Sequence, residues 1–159
     1  MDAQTDSCTQ LDRLPCSGSV ERAWVQLIRA HRSALCQVEK ALRAADLPPL
    51  EWYDVLLELE RGGPLRPRDL QERLLFAQYN LSRLLDRMES AGIVTRERCS
   101  DDARCQWVRT TEAGNALRQR MWPVYACAIR AAVGEKLSDA QADKLGDLLE
   151  RLSTCPKAG

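Results

Sequence analysis

Residues 81–98 read LSRLLDRMESAGIVTRER, and the spacing of their apolar side chains changes part-way along. Before Gly92, apolar residues recur every three or four positions, which is typical of the buried face of a helix. After Gly92 the period shortens to two, which is typical of a strand. The apolar face of the helix carries Leu81, Leu84, Leu85 and Met88. The sequence therefore predicts a helix that ends at a glycine and continues directly into a strand.

A shorter helix is predicted just before this one. It begins near Pro67, whose fixed φ angle suits the first position of a helix, and its apolar side is formed by Leu70, Leu74 and Leu75. The helix that follows is predicted from about Ala77 to Ser90. Ala77 cannot accept a hydrogen bond as an N-cap side chain, so this predicted start lacks a cap.

Two strands are predicted behind the second helix, over residues 93–98 and 106–110, with a turn over residues 100–104. A short helix, a second helix and a two-stranded hairpin, in this order, are typical of a winged helix-turn-helix. In such a unit the second helix is the recognition helix, which enters the major groove of DNA.

A long helix precedes this unit. It begins near Ser19, and Pro48 and Pro49 bound its far end. Its apolar stripe follows helical spacing. The stripe is formed by Trp24, Leu27, Ile28, Leu35, Val38 and Leu42. A second helix is predicted over residues 50–60.

Two more helices are predicted after the hairpin. The first opens at Thr111 and passes through Pro123 to about Gly134, and the proline predicts a kink. Residues 138–141, SDAQ, form a capping box for the last helix. The outer helices carry more apolar surface than the small central unit can cover, so we predict a homodimer. The predicted fold is mainly α with a small β-hairpin wing: a winged helix-turn-helix between long N- and C-terminal dimerisation helices.

This organisation divides the chain into four parts. Residues 1–17 are predicted to be a flexible N-terminal arm, and residues 18–47 the N-terminal dimerisation helix. Residues 48–111 form the predicted DNA-binding module, and residues 112–159 the C-terminal dimerisation helices.

The composition of the chain excludes or disfavours several classes of function. The 159 residues carry 23 basic and 23 acidic side chains, which excludes a uniformly basic nucleic-acid-coating protein. Residues 61–109, however, hold ten Arg and no Lys, a composition that suits contact with phosphate. A single histidine and the lack of a Gly-rich phosphate loop disfavour an enzyme, and no cofactor is predicted. The seven cysteines include no CxxC pair, which disfavours a zinc site. No signal peptide or membrane span is visible, so we expect a cytoplasmic protein.

The candidate DNA contacts follow from the predicted recognition helix and hairpin. Gln, Asn and Arg make bidentate contacts to base edges, and an Arg at a hairpin tip can enter a narrow minor groove. Asp102 could hold Arg104 extended by an ion pair. The full set is Arg66, Arg68, Gln78, Tyr79, Asn80, Ser82, Arg83, Arg87, Arg96, Arg98, Asp102 and Arg104.

Residues 50–117 resemble the MarR family of transcriptional regulators. The motifs that carry the resemblance are EWYDVL (51–56), LRPRDL (65–70), LSRLLDRMESAG (81–92), Asp102-x-Arg104 and TEAG (111–114). The resemblance implies a homodimer that binds pseudo-palindromic double-stranded DNA, usually as a repressor, and that releases it on binding a small aromatic or phenolic effector. The chain departs from the family at three places. They are Ala77 where Ser or Thr is common, Pro123-Val124-Tyr125 where Pro-x-His is common, and Cys105 in the wing.

Two hypotheses concern the signal to which the protein responds. In the first, an aromatic ligand lies between the dimerisation helices and the DNA-binding module, where the family places its ligands. Its candidate contacts are Trp24, His31, Trp52 and Asp54. Residues such as Trp24 and His31 on an apolar stripe more often pack against other side chains than contact a ligand.

In the second hypothesis, Cys99 and Cys105 face each other across the hairpin and form a regulatory disulfide. On geometry alone, two reduced cysteines without a regulatory role are the favoured interpretation. A further alternative is a winged-helix protein-interaction module that does not bind DNA, because Tyr79 is unusual on a base-reading face.

Overall fold

The computed structural model describes residues 16–74, 80–98 and 106–153. These ranges contain six α-helices and one antiparallel two-stranded sheet. In chain order they are α1 (Gly18–Ala44), α2 (Leu50–Gly62), α3 (Pro67–Arg73), α4 (Leu81–Ser90), β1 (Val94–Arg98), β2 (Gln106–Thr110), α5 (Glu112–Ile129) and α6 (Asp139–Ser153), with a π-helical turn (Arg130–Gly134) between the last two. The prediction of a mainly α fold with a small hairpin is confirmed.

Side-chain caps begin the first and last helices. The hydroxyl of Ser17 accepts a hydrogen bond from the backbone N–H of Val20 at 3.3 Å. The predicted capping box at residues 138–141 is also present. The N–H of Gln141 donates to the Ser138 hydroxyl at 3.4 Å, and the N–H of Ser138 donates to the Gln141 amide oxygen at 3.0 Å. Two N–H groups at that terminus therefore find side-chain acceptors.

The start of α4 differs from the prediction. The helix begins at Leu81 rather than near Ala77, and Asn80 is its N-cap, with φ −69° and ψ 89°. The side-chain oxygen of Asn80 accepts a hydrogen bond from the backbone N–H of Arg83 at 3.3 Å. Asn is among the most favourable N-cap residues, so the helix begins where its free N–H groups meet an acceptor. The expectation of an uncapped recognition helix is therefore wrong.

Two other helix ends were also misplaced. α3 ends at Arg73, because Leu74 has extended backbone angles of φ −63° and ψ 135°. Leu74 therefore does not belong to α3, while Leu75 lies outside the described residues. α5 passes Pro123 without ending, but its α-helical part stops at Ile129, and the last five predicted residues form the π-helical turn. The kink at Pro123 stays a prediction.

The hydrophobic core lies where α2 and α4 meet the second half of α1, the base of the hairpin and α5. Its most deeply buried side chains are Leu42, Val55, Leu56, Leu70, Leu84, Leu85, Met88, Val94, Val108 and Met121. Leu65 and Val108 exchange two backbone hydrogen bonds, of 3.2 and 2.8 Å. This bridge attaches the segment between α2 and α3 to β2, which pairs with β1 on its other side.

The junction between the hairpin and α5 requires a glycine. Thr111 is the N-cap of α5, and its hydroxyl accepts from the N–H of Gly114 at 3.1 Å and donates to the carbonyl of Gly92 at 2.7 Å. A Cβ atom at Gly114 would overlap the carbonyl oxygen of Ile93 and the hydroxyl of Thr110. The TEAG motif therefore brings α5 close against the base of the wing.

The outer helices bury fewer of their apolar side chains than the core helices do. α6 has no buried residue, and large apolar side chains stay exposed along it and along the first half of α1. They are Val20, Trp24, Val25 and Ile28 on α1, and Leu145, Leu148 and Leu152 on α6. None of the helices within residues 16–74, 80–98 and 106–153 is both long and apolar enough to cross a bilayer.

Candidate DNA-binding surface

α4 has one buried side and one exposed side. Leu81, Leu84, Leu85 and Met88 face the core, as the sequence predicts. Asn80, Ser82, Arg83 and Arg87, which we predicted to contact DNA, are all exposed. The helix is therefore held by its apolar side and offers polar groups on the other.

Arg83 is an exposed cation of α4 that no carboxylate among the described residues neutralises. Its backbone N–H is bound by the Asn80 cap. Its guanidinium has no ion-pair or hydrogen-bond partner among the residues that the structure describes. A guanidinium in this state can offer its fork of donors to a guanine edge or a phosphate without first losing a carboxylate.

Arg87 is engaged with another helix. Its guanidinium donates to Glu51, at the start of α2, with a terminal nitrogen to Oε1 distance of 2.6 Å. This pair lines a concave surface of about 520 Å³ together with Asn80 and Arg83. Arg87 therefore ties α4 to α2, and it contacts DNA only if Glu51 shares or releases it.

Arg96 forms more ion pairs than Arg87 does. Its side chain is only 19% exposed and pairs with both Asp86 and Glu89 of α4. Its Nε donates to Glu89 Oε2 at 2.9 Å, and its backbone N–H donates to Glu89 Oε1 at 3.2 Å. The hydrogen bond to Asp86 is the largest cause of a pKa raised above the ordinary arginine value, so the residue stays charged. The structure thus places Arg96 between the wing and α4.

Three other predicted contacts lie nearer the surface. The guanidinium of Arg66 lies over the ring of Trp107 in β2, 5.2 Å from its centroid, which orients it by a cation–π contact. The Arg68 side chain is 88% exposed and pairs with Glu72 at 3.5 Å. Arg98 is exposed at the end of β1. Gln78, Tyr79, Asp102 and Arg104 lie outside the described residues, as do Cys99 and Cys105.

The four predicted effector contacts are not brought together in one protomer. Trp24 is 64% exposed on α1, and His31 is also exposed there. Asp54, on α2, is only 4% exposed. Trp52 is half-buried, and its indole N–H is buried without a partner among the described residues.

Tyr53, Trp122 and Tyr125 form an aromatic cluster that was not predicted from the sequence. The Tyr53 and Tyr125 rings meet edge to face with centroids 5.0 Å apart, and Tyr53 stacks on Trp122 at 6.1 Å. Burial raises the pKa of Tyr125, and the charges of Tyr53 and Asp54 raise it further. Tyr125 therefore stays a neutral hydroxyl. The spacing of Trp122 and Tyr125 on one helix face was the available signal.

A second concave surface lies between α1 and α5. It has a volume of about 650 Å³, and its lining is mostly apolar. The side chains that line it are Gln37, Lys40, Ala41, Ala44, Pro123, Val124, Cys127, Ala128 and Ala131. It adds to the apolar surface that the outer helices leave open.

Comparison with known proteins identifies the fold. The model of the MarR family matches residues 45–104, a range that includes α2, α3, α4 and β1. An uncharacterized HTH-type transcriptional regulator from Bacillus cereus ATCC 10987 is 26% identical over 129 residues, covering 81% of this chain and 85% of that protein. Residues 45–104 thus match the MarR family, and the chain is similar in sequence to regulators of the HTH type over most of its length. Its relatives are transcriptional regulators, so the prediction that it is not an enzyme is confirmed.

Two solved structures resemble this protein in fold. Sco3205 from Streptomyces coelicolor, a MarR family regulator in complex with DNA, has a TM-score of 0.76 and 25% identity, with 86% of this chain and 87% of that chain covered. BpsR from Bordetella bronchiseptica, whose DNA binding is regulated by 6-hydroxynicotinic acid, has a TM-score of 0.75 and 20% identity, with 83% and 98% covered. In sequence and in fold, the chain therefore resembles DNA-binding transcriptional regulators of the MarR type.

Proposed function

We propose that this protein is a homodimeric repressor of the MarR type that binds a pseudo-palindromic operator and releases it on binding a small aromatic effector. The main support for the proposal is the way in which α4 is buried and exposed. Its apolar side is fully buried, and its exposed side offers Arg83 with no competing carboxylate among the described residues. That is the state a recognition helix needs in order to enter a major groove.

Different residues serve different contacts in this proposal. Arg83 contacts a base edge from α4, and Ser82 lies beside it. Arg66, Arg68 and Arg98 are exposed cations on α3, its cap and the wing, where they neutralise phosphates. Asn80 contributes through its amide NH₂ group, because its oxygen caps α4.

The exposed apolar residues of α1 and α6 support the homodimer. Exposed apolar side chains spread along two helices mark an interaction surface, and a second copy that covers them forms a closed two-fold dimer. Two recognition helices are then related by the same two-fold axis, which accounts for a palindromic operator.

The effector site is proposed at the junction of α1, α2 and α5. The unpartnered indole N–H of Trp52 and the rings of Tyr53 and Tyr125 offer a donor and aromatic faces. Trp24 and His31 join this site only if the partner subunit supplies them, because in one protomer they are exposed. Regulation of BpsR by an aromatic acid supports this choice of chemistry.

No observation favours the two alternatives. The redox hypothesis depends on Cys99 and Cys105, which lie outside the described residues. The protein-interaction module depends on Tyr79, which lies there too, and the relatives are named as transcriptional regulators.

The DNA-binding step is tested with a duplex that the protein selects from a random-sequence library. Affinity is measured over a range of salt concentrations. We expect the logarithm of the affinity to fall with the logarithm of the salt concentration with a slope of about −4 or steeper, because several arginines displace counterions in each subunit. Affinity that does not change with salt would refute DNA binding through these arginines.

The effector and repression are tested on the same duplex. A panel of aromatic carboxylates and phenols is screened for a rise in the thermal unfolding midpoint, which follows occupancy of the native state. A compound that raises the midpoint should release the duplex and should restore expression from a promoter that overlaps it. Trp52→Phe removes the indole N–H. It should lower the affinity of the protein for that compound while leaving its affinity for DNA unchanged. An effector site elsewhere is indicated if the variant responds like the wild type.

A further inference from the structure

Arg96 was predicted to contact DNA, but its surroundings point to another role. Val94, Arg96 and Arg98 alternate with Thr95 and Glu97 along β1, so they share one face of the strand. Val94 is fully buried on that face, which turns it towards α4 and the core. The side chain of Arg96 therefore points towards α4 rather than away from the protein.

The bonds of Arg96 fix two parts of the residue at once. Its guanidinium binds Glu89 Oε2 through Nε at 2.9 Å and through a terminal nitrogen at 2.7 Å. The other oxygen of Glu89 accepts a hydrogen bond from the backbone N–H of Arg96, with an N to Oε1 distance of 3.2 Å. The second partner, Asp86, lies one helical turn earlier on the same side of α4. Two carboxylates of α4 thus hold both the backbone and the side chain of one residue in the wing.

The charge of this cluster argues against a phosphate contact. One guanidinium faces two carboxylates, so the cluster carries a net negative charge. A phosphate would have to displace charge-assisted hydrogen bonds in a site where only 19% of the Arg96 side chain is exposed. Arg98, two residues further along, is exposed and free of such partners within the described ranges.

We propose that Arg96 is a positioning residue that sets the angle of the wing against α4, and that Glu89 is consequently required for DNA affinity. This inference rests on the proposed DNA-binding function. Arg98 lies about 6.6 Å further along the strand, so a change in the angle of β1 moves its guanidinium relative to the phosphates that α4 has brought into range.

Two variants distinguish the positioning role from direct contact, because the two roles predict opposite results. Glu89→Gln removes a negative charge close to the DNA and places an amide NH₂ where a carboxylate oxygen accepts from Arg96. We expect about a tenfold loss of affinity for the selected duplex. If Arg96 contacted phosphate directly, loss of the competing carboxylate would strengthen binding.

Arg96→Lys is the second variant. Lysine binds phosphate well but cannot form the same fork with Glu89 and Asp86. The positioning role predicts about a tenfold loss of affinity here too, whereas a direct phosphate contact predicts nearly unchanged affinity. Asp86 is left intact because it lies on the exposed side of α4, where its replacement could act on a base directly.

Glu97→Gln is the matched control. Glu97 lies on the opposite face of β1 and pairs with Arg109 within the hairpin at 2.9 Å, so it does not connect the wing to α4. We expect its affinity to stay within about twofold of the wild type or to rise slightly. Thermal unfolding midpoints check that every variant is folded at the assay temperature.

The outcomes are distinct. Affinity lost in both Glu89→Gln and Arg96→Lys, with Glu97→Gln unchanged, supports the proposal. Stronger binding by Glu89→Gln, or an unaffected Arg96→Lys, overturns it while leaving the proposed function intact. If the wild-type protein selects no duplex and shows no salt-dependent binding, the proposed function fails and the inference fails with it.

Discussion

The winged module and the outer helices differ in how much of their apolar surface one chain can bury. In the module, α2, α4 and the hairpin share a core whose side chains are almost fully buried. In the outer helices, the first half of α1 and all of α6 leave large apolar side chains exposed. A single chain therefore completes the core of the winged module, whereas the outer helices keep apolar surface that a second copy would cover in the proposed dimer.

Leu56→Ala tests the module half of this comparison and should have the largest effect. Leu56 is 1% exposed in the core, and its truncation leaves a cavity. We expect the free energy of unfolding to fall by about 3 kcal/mol. Denaturant titration at one protein concentration measures the loss, and light scattering should show an unchanged oligomeric state. A cost below about 1 kcal/mol would mean that the core is less well packed than described.

The double variant Leu145→Asp, Leu148→Asp tests the outer half. It places two charges on the apolar side of α6, which should convert the dimer into a monomer. Affinity for a palindromic duplex should then fall about a hundredfold, because each half-site binds independently. Light scattering and DNA titration measure the two effects. Asp147→Ala on the same helix is the control, and a double variant that remains a dimer would contradict the assignment of this interface.

Arg83→Ala and Arg68→Ala sharpen the comparison within the module. We expect Arg83→Ala to reduce the preference for the selected duplex over a random one by about tenfold, because a base contact is lost. Arg68→Ala should weaken binding to both duplexes alike and reduce the salt slope by about one unit for each half-site. Equal losses on both duplexes for Arg83→Ala would remove its assignment to a base edge.

Asn80→Ala should have the smallest effect. The variant removes the N-cap of α4 and should cost about 1 kcal/mol of the free energy of unfolding, while Asn80→Asp keeps an acceptor and should cost less. Thermal unfolding of the three proteins measures the order. Equal stability of Asn80→Ala and the wild type would show that the hydrogen bond to Arg83 does not support the helix.

Periodicity predicted most of the fold. The spacing of Leu81, Leu84, Leu85 and Met88 gave the correct buried side of α4, and the alternation after Gly92 gave the strand. The capping box at residues 138–141 was correct because it depends on local geometry alone. The error at Ala77 arose because a helical pattern was extended past Asn80, although Asn80 is itself a strong N-cap signal.

The site was harder to predict because side-chain partners come from distant parts of the chain. Charge alone suggested that Arg96 and Arg98 were equivalent, but Arg96 meets two carboxylates of α4 and Arg98 does not. The pairing of Arg87 with Glu51 joins residues that are 36 positions apart. The aromatic cluster likewise combines α2 with α5, and no local pattern specifies such packing.

The number of chains bound to one selected duplex tests the central claim most directly. Analytical ultracentrifugation of the complex counts the chains, and the sequence of the duplex shows its symmetry. The account predicts two chains on an inverted repeat whose half-site centres lie about 10 base pairs, or a multiple of one helical turn, apart. One chain on one duplex, or a selected sequence without two-fold symmetry, would contradict it.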